Sequence, residues 1–412
     1  MTKKILSVIL VIAMIASLAM IFASCDQPAK TGKETAQNPA GMDKIKIGFI
    51  FLHDETSTYD KNFLDAAKAA QKALGLTDAQ VIIKTNIDEN VECYETAADM
   101  VDQGCNIVFA DSFGHEDWML KAAKEFPKVQ FCHATGTKAH TEKLANFHNA
   151  FASIYEGRFL AGVAAGLKLN EMIDNKTITA DQAKVGYVGA YPYAEVISGY
   201  SSFYLGMKYV CPSVTMEVDF TNSWFSVDDE REMANKFMDR NCVLISQHAD
   251  SMGAPGACEK RGVPDVSYNG STVETCPNTF IVSSKINWQP YFEYIVKCVA
   301  EGKAIDTDWT GTIANDAVQL TAINEKVAAK DTAAKIEEIK AKLSKGEIKV
   351  FDTATFTVNG AKLDSYKADV DTDAAFTPDT EVVKDGYFHE SEFRSAPYFD
   401  VAIDGITRLD QN

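Results

Sequence analysis

The sequence predicts an α/β protein built from two doubly wound lobes, each with a parallel β-sheet covered by helices. Short apolar runs typical of buried strands alternate with helical patterns, and the alternation occurs twice along the chain. Strands that alternate with helices form right-handed βαβ units and hence parallel sheets. The 412 residues are enough for two separate cores, and 46% hydrophobic with 24% charged residues is an ordinary globular composition.

The first lobe begins at residues 45–52, where β-branched and aromatic residues indicate a buried strand. Further strands are expected at 81–84, 106–110 and 129–133, and helices at 62–74, 93–103 and 116–125. A helix at 155–169 is rich in Ala and Gly, which suits close packing between the lobes.

The second lobe repeats this alternation and is followed by segments that cross between the lobes. Strands are expected at 185–189, 215–220, 243–246, 266–268 and 281–285, and helices at 196–209, 229–239, 256–261, 291–301 and 328–345. Residues 309–320 are predicted to be irregular. The predicted domain is 44–412, with a first lobe of 44–150 plus 286–325 and a second of 180–285 plus 326–412. In such sheets ligands bind at the carboxyl ends of the strands, here in a cleft between the lobes.

The N-terminus has the layout of a secretory signal. Lys3 and Lys4 precede an apolar run at 5–21, and small residues then lead to Cys25. Residues 22–25 resemble a bacterial lipobox, with Phe22 in place of the usual leucine. We therefore expect a signal peptide at 1–24, acylation of Cys25, and a polar tether at 25–43. The alternative is an ordinary signal peptide, or an uncleaved anchor, that happens to contain a cysteine.

The net charge of −18 argues against nucleic acids and anionic lipids as partners, because the field of the protein repels polyanions. It leaves open a nucleobase or nucleoside, which carries no phosphate. Eight cysteines follow Cys25, and no pair has the CxxC spacing of zinc or redox sites. Their spacing fixes no disulfide pairing, and burial as free thiols is the simpler interpretation.

The chain contains none of the common catalytic motifs. There is no Gly-x-Ser-x-Gly, His-Glu-x-x-His or Walker sequence, and the run at 186–191 lacks the third glycine of a dinucleotide site. We expect no enzyme activity, metal or cofactor. A surface nucleosidase, which needs clustered acids and usually calcium, is the catalytic alternative.

Several loops resemble the basic membrane protein family of substrate-binding lipoproteins. The similar segments run in order over about 45–408, at 112–114, 189–199, 221–225, 247–251, 287–291 and 395–405. The resemblance implies a type I periplasmic-binding-protein fold and a purine base or nucleoside as ligand. It also implies an ABC transporter permease as partner, a monomer, and an extracytoplasmic location with lipid anchoring as the only membrane contact.

Two positions depart from the family pattern. Relatives often carry Asp-x-Gly-Trp after the first strand, whereas residues 54–59 read Asp-Glu-Thr-Ser-Thr-Tyr. A stacking ring in that lobe is therefore expected from Tyr59 or Phe113. Asn269 stands where nucleoside-binding relatives tend to have an aspartate that grips the ribose hydroxyls. The uncharged amide suits a ribose diol less well and favours a free base.

Aromatic residues are the candidates for stacking on a flat ligand, which is typically worth ~1–3 kcal/mol per base. Trp224, in a polar loop after a strand, is the first candidate, and packing beneath that loop is its alternative role. Trp288 is placed beside the cleft by the family resemblance. Tyr191, Tyr193 and Phe113 are expected either to line the cleft or to pack behind it.

Polar candidates follow the predicted strands: Asp54, Asn222, Asp250 and Asn269. Asp250 is expected to accept hydrogen bonds from an amine or ring N–H, with capping of the next helix as its alternative role. His248 is a candidate ligand contact whose alternative is a bond to a backbone carbonyl. Lys285, Asn315 and Asp316 are weaker candidates.

The predicted mechanism is hinged capture, in which the lobes close on the ligand for an ABC importer. The alternatives are a surface receptor of the same fold that signals the presence of its ligand, and a binding protein for a small ligand other than a purine.

Overall fold

The computed structural model describes residues 41–411. It contains two α/β lobes, each built on a largely parallel sheet, which confirms the predicted fold class. The predicted signal peptide, Cys25 and most of the tether lie outside the described residues.

The first lobe contains a six-stranded parallel sheet with the order β11-β5-β4-β3-β1-β2. Its strands are β1 (Ile47–Ile50), β2 (Val81–Lys84), β3 (Ile107–Ala110), β4 (Gln130–Ala134), β5 (Phe147–Ala152) and β11 (Asp308–Gly311). Its helices are α1 (Thr58–Leu74), α2 (Val91–Asp102), α3 (Glu116–Glu125), the single turn α4 (Ala139–Glu142) and α9 (Gln289–Glu301).

Helix α1 has sequence signals at both of its ends. The Ser57 hydroxyl accepts the Asp60 N–H at 3.2 Å, which caps the first turn, and Gly75 ends the helix with φ 66°. Because α1 follows β1, this cap places its first turn at the carboxyl edge of the sheet.

The second lobe contains a seven-stranded sheet with the order β12-β10-β9-β8-β6-β7-β17, in which β12 alone runs antiparallel to its neighbour. Its strands are β6 (Lys184–Gly189), β7 (Thr215–Phe220), β8 (Leu244–Gln247), β9 (Asp265–Tyr268), β10 (Phe280–Ile286), β12 (Val318–Leu320) and β17 (Ile406–Arg408). Its helices are α5 (Ile154–Asp174), α6 (Ala194–Val210), α7 (Val227–Asp239), α8 (Gly253–Arg261) and α10 (Thr332–Ser344).

Helices α5 and α6 pack backbone against backbone through glycines. A Cβ added at Gly162 would overlap the carbonyl oxygen of Phe203, and one added at Gly206 would overlap that of Phe159. The Ala- and Gly-rich composition of α5 thus serves a close helix pair.

Four strands of the two large sheets lie where the sequence predicted none. No element was expected at β5, and none was expected at β17 in the C-terminal tail. The prediction of irregular structure at 309–320 was wrong, because β11 and β12 lie there. The segment 286–325, predicted for the first lobe, gives β11 to the first sheet and β12 to the second.

The C-terminal segment, residues 345–411, contacts both sheets. Its own small core contains Phe351 stacked on Phe399, with ring centroids 4.0 Å apart. The Ser395 N–H donates to Asp308 on β11 at 2.7 Å, and β17 pairs with β7. Short hairpin strands lie within it: β13 (Lys367–Ala368), β14 (Thr380–Glu381), β15 (Val383–Lys384) and β16 (Tyr387–Phe388).

The eight cysteines of the described part are all buried free thiols, as the simpler interpretation predicted. Burial raises the pKa of the Cys242 thiol to about 12. No helix among residues 41–411 is both long and apolar enough to cross a membrane.

Candidate ligand-binding site

A cavity of about 380 Å³ lies between the two sheets at the carboxyl ends of their strands. Each sheet reverses its strand order there, between β1 and β3 in the first and between β6 and β8 in the second. Ligands of doubly wound sheets bind at such switch points. The cavity is therefore the candidate ligand site.

The first lobe supplies a buried carboxylate, Asp60, on the first turn of α1. It accepts the His53 backbone N–H at 2.7 Å and the Ser57 hydroxyl at 2.6 Å. Burial acts to raise the pKa of Asp60, but the hydrogen bonds from His53 and Ser57 together lower it. Asp60 is therefore ionised at neutral pH. Nearby, the Tyr59 hydroxyl donates to the backbone carbonyl of Asp111 at 2.8 Å.

The second lobe presents Trp224 to the cavity. Its ring makes an edge contact with Tyr191, with centroids 5.1 Å apart, and Tyr191 in turn stacks on Tyr193. The Trp224 carbonyl accepts the Asp250 N–H at 2.9 Å, so the tryptophan loop is tied to the loop after β8.

Asp250 faces the cavity beside Asn269. The Asn269 amide donates to the Asp250 carboxyl at 3.3 Å and accepts from Asn62 of the first lobe at 3.2 Å. Burial and the neighbouring charges of Asp60, Glu230 and Glu195 hold the pKa of Asp250 well above its usual range. A ligand that donates a hydrogen bond to Asp250 would therefore stabilise the ionised form of this carboxyl group.

A third polar group consists of His248 and Glu195, which line the cavity, and Arg158, which contacts His248. Arg158, fully buried on α5, donates to the Gln247 carbonyl and to His248 Nδ1, both at 2.9 Å. His248 Nε2 lies 3.4 Å from Glu195 Oε1. Burial raises the pKa of Glu195 to about 7, although the charge of Arg158 opposes this.

The two lobes touch directly around the cavity. The Thr58 N–H and hydroxyl donate to the Asp250 carbonyl at 3.1 and 3.2 Å. At the rim, the rings of Phe113 and Tyr193 lie 5.7 Å apart. The cleft is therefore closed by contacts between its walls.

The structure brings most of the sequence candidates to one place. Of the residues predicted from the sequence, those that line the cavity are Tyr59, Phe113, Trp224, His248 and Asp250, and Asn269 is hydrogen-bonded to Asp250. Tyr191 instead supports Trp224 from behind.

Three predicted site residues lie away from the cavity. Trp288 is 1% exposed and stacks on Phe63 in the first-lobe core, because the chain enters α9 there and turns the ring inward. Asp54 caps its own loop by accepting the Thr56 N–H at 3.0 Å. Asn222 is exposed and adopts a left-handed turn with φ 56°.

Three charged residues of the site were not predicted from the sequence: Asp60, Glu195 and Arg158. Asp60 follows the helix-capping Ser57 by three positions, and Glu195 lies within the family-like segment 189–199. Arg158 is the only charged residue of the apolar run 157–167 in α5, and such a residue is buried only with partners. That isolation was the available signal.

The carboxylates that could share a metal ion lie on the C-terminal segment. Asp371, Asp373 and Asp379 come within ligating distance of one another there, at partly and fully exposed positions.

The fold and the cleft define a two-lobed substrate-binding protein. The family model described as "ABC transporter substrate-binding protein PnrA-like" (Bmp) matches residues 49–353. The chain belongs to this Bmp family, which confirms the resemblance seen in the sequence. The family and the fold are those of binding proteins, which are not enzymes.

Similar proteins match different shares of the chain. A purine-binding protein of Brucella abortus (strain 2308) is 30% identical over 263 residues, which are 63% of this chain and 70% of that protein. A putative ABC transporter glucose-binding protein of Haloferax volcanii is 31% identical over 207 residues, 50% of this chain and 49% of that protein. A solved ABC transporter solute-binding protein of Conexibacter woesei shares the fold with a TM-score of 0.59 at 20% identity, covering 74% of this chain and 98% of that one.

Proposed function

We propose that this protein captures a purine nucleobase or nucleoside in the cleft and delivers it to the permease of an ABC importer. The observation that carries the proposal is the joint presence of aromatic rings and carboxyl groups in one cavity of about 380 Å³. A purine needs both, because its faces are apolar and flat and its edge carries N–H groups.

The rings come from opposite walls of the cleft. Trp224 belongs to the second lobe, whereas Tyr59 and Phe113 belong to the first. A flat heterocycle placed between them would stack on both faces, and each base–ring stack is worth ~1–3 kcal/mol. In this arrangement the ligand contacts both sets of rings only when the lobes are closed.

The polar lining favours a ligand without negative charge. Asp60, Glu195 and Asp250 supply oxygens that accept N–H donors, and the net charge of −18 disfavours a phosphate. The similar Brucella abortus protein, which is named as purine-binding, supports the same ligand class.

Capture proceeds by closure of the two lobes. The hydrogen bonds from Thr58 to Asp250 and from Asn62 to Asn269 join the walls, so they exist only in the closed state. A ligand that contacts both walls binds the closed state better and shifts the population toward it.

The proposed place of action is outside the cytoplasm, at the cell membrane. The signal-like N-terminus and the lipobox-like residues 22–25 support export and acylation of Cys25. Mass spectrometry of the mature protein tests this, since an unmodified chain that still begins at Met1 would contradict it.

A monosaccharide is the second candidate ligand. The Haloferax volcanii relative is named as a putative glucose-binding protein, and an aromatic ring beside carboxylates also suits the apolar face and the hydroxyls of a sugar.

Isothermal titration separates these candidates. The purified protein is first unfolded and refolded to release any bound ligand, and then titrated with adenine, guanine, hypoxanthine, their nucleosides, and glucose. Saturable binding of a purine supports the proposal, and preference for a base over its nucleoside agrees with Asn269 in place of an aspartate. Binding of glucose alone, or of nothing in the series, overturns the purine proposal. Release of free base from inosine would overturn the expectation that the protein is not an enzyme.

A further inference from the structure

We propose that Arg158 is a positioning residue that fixes His248 as a hydrogen-bond donor toward the cleft. The site would then select ligands that offer an acceptor atom beside their own N–H donors. The identity of the ligand rests on the proposed function, whereas the state of His248 does not.

The hydrogen on His248 can be assigned from its neighbours. Arginine has only donors, and its Nη2 lies 2.9 Å from His248 Nδ1. The Tyr187 hydroxyl approaches the same nitrogen at 3.4 Å. His248 Nδ1 must therefore present its lone pair, and the ring hydrogen is on Nε2.

Arg158 is held rigidly enough to impose this state. It is fully buried, its Nη1 donates to the Gln247 carbonyl at 2.9 Å, and its guanidinium lies 3.5 Å from the centroid of the Tyr268 ring. A protonated Nδ1 would point its hydrogen at this cation. Burial and the charge of Arg158 accordingly hold the pKa of His248 well below its usual range.

The Nε2–H remains available to a ligand. Its one protein partner, Glu195 Oε1, is 3.4 Å away, longer than the usual 2.7–3.2 Å of an N–H···O bond. His248 lines the cavity with Asp60, which is an acceptor, and with Asp250, which becomes one when a ligand donates to it. A ligand therefore meets a fixed imidazole donor beside carboxyl oxygens. A ring nitrogen with a neighbouring N–H or amino group matches that arrangement.

Nuclear magnetic resonance of the full chain labelled with ¹⁵N-histidine tests the tautomer without any ligand. We expect His248 to keep a hydrogen-free Nδ1 and a protonated Nε2 from pH 5 to 8, with the signal assigned by its loss in His248→Gln. A hydrogen on Nδ1, or titration to imidazolium in this range, overturns the inference. Because no ligand is present, this outcome is independent of the purine proposal.

Arg158→Lys tests the positioning role. Lysine keeps the charge but loses the guanidinium that bridges His248 and Gln247, so a second tautomer of His248 should appear in the spectrum. If His248 keeps a single tautomer in Arg158→Lys, the tautomer is fixed by Tyr187 instead, and the role of Arg158 is overturned.

A matched pair of variants tests the donor role with the tightest ligand found by titration. His248→Gln places an amide N–H near the position of Nε2 and should keep affinity within about threefold. His248→Leu removes the donor and should weaken binding at least tenfold, which corresponds to a loss of about 1.4 kcal/mol or more. Equal affinities for the two variants would overturn the donor role.

Discussion

At the scale of single residues, the cleft holds carboxyl groups in two kinds of environment. Asp60 receives hydrogen bonds from His53 and Ser57, which keep its pKa low. Asp250 is buried, lies among other acids and receives only one long bond from Asn269, so its pKa is high. The first group is a ready acceptor, and the second becomes one when a ligand donates to it. The two lobes thus contribute unlike acceptors to one ligand.

Trp224→Ala should weaken ligand binding at least tenfold, because it removes the stacking ring of the second lobe. The measurement is titration with the tightest purine, accompanied by circular dichroism. Trp118→Ala is the matched control, since Trp118 is half-buried on α3 and does not line the cavity. An unchanged dissociation constant for Trp224→Ala would remove this residue from the site.

At the scale of elements, the helix pair α5–α6 depends on glycines. Gly162 and Gly206 let the two backbones touch, and α5 also carries Arg158 to the cleft. The spacing of this pair therefore affects both the core of the second lobe and the position of His248.

Gly162→Ala should lower the free energy of unfolding by ~1–3 kcal/mol, because the added methyl forces the helices apart. Gly256→Ala is the control, since Gly256 lies in helix α8 with open space around it. Alanine there should raise stability by up to ~1 kcal/mol through helix propensity. Urea unfolding measures both, and equal effects of the two substitutions would contradict the packing argument.

Most strands and the long helices could be read from the sequence, but the interior strand β5 and three of the four edge strands, β11, β12 and β17, could not. Strand β7 and helix α3 fall where their patterns predicted them, because each combines strong periodicity with clear ends. Strand β5 is fully buried but contains the polar residues His148 and Asn149, so it lacks the apolar pattern that predicts a buried strand. Strands β11 and β12 are short, and pairing with distant neighbours rather than local preference defines them.

The site was predictable to the extent that it follows strand ends. Trp224 and Asp250 lie in loops after strands and face the cavity, whereas Trp288 was misplaced because aromatic residues near a cleft are hard to distinguish from core residues in sequence. Arg158 was missed because its partner His248 is 90 positions away along the chain.

At the scale of the whole molecule, the two lobes are joined by contacts that a hinge motion must break. Thr58 and Asn62 of α1 reach Asp250 and Asn269 across the cleft, while the C-terminal segment bridges the two sheets elsewhere. In the proposed hinge motion, opening would separate the α1 side of the cleft, while the C-terminal segment would keep the lobes together.

Asn62→Ala should favour the open state and weaken ligand binding by about two- to tenfold, since one interlobe hydrogen bond is worth ~0.5–1.5 kcal/mol. Small-angle X-ray scattering should show a larger radius of gyration for the ligand-free variant than for the saturated native protein. Asn235→Ala, on α7 away from the cleft, is the control and should behave as the native protein. A ligand that binds tightly without reducing the radius of gyration would contradict hinged capture.

The buried cysteines have a consequence for how the chain matures. None of the eight described thiols forms a disulfide. If the protein is exported as proposed, the folding of this region therefore needs no oxidant and no disulfide isomerase. The same thiols are shielded from alkylating reagents while the lobes are intact, because the thiolate is the reactive form and burial suppresses it. Alkylation of any of these thiols therefore reports that the core around it has unfolded.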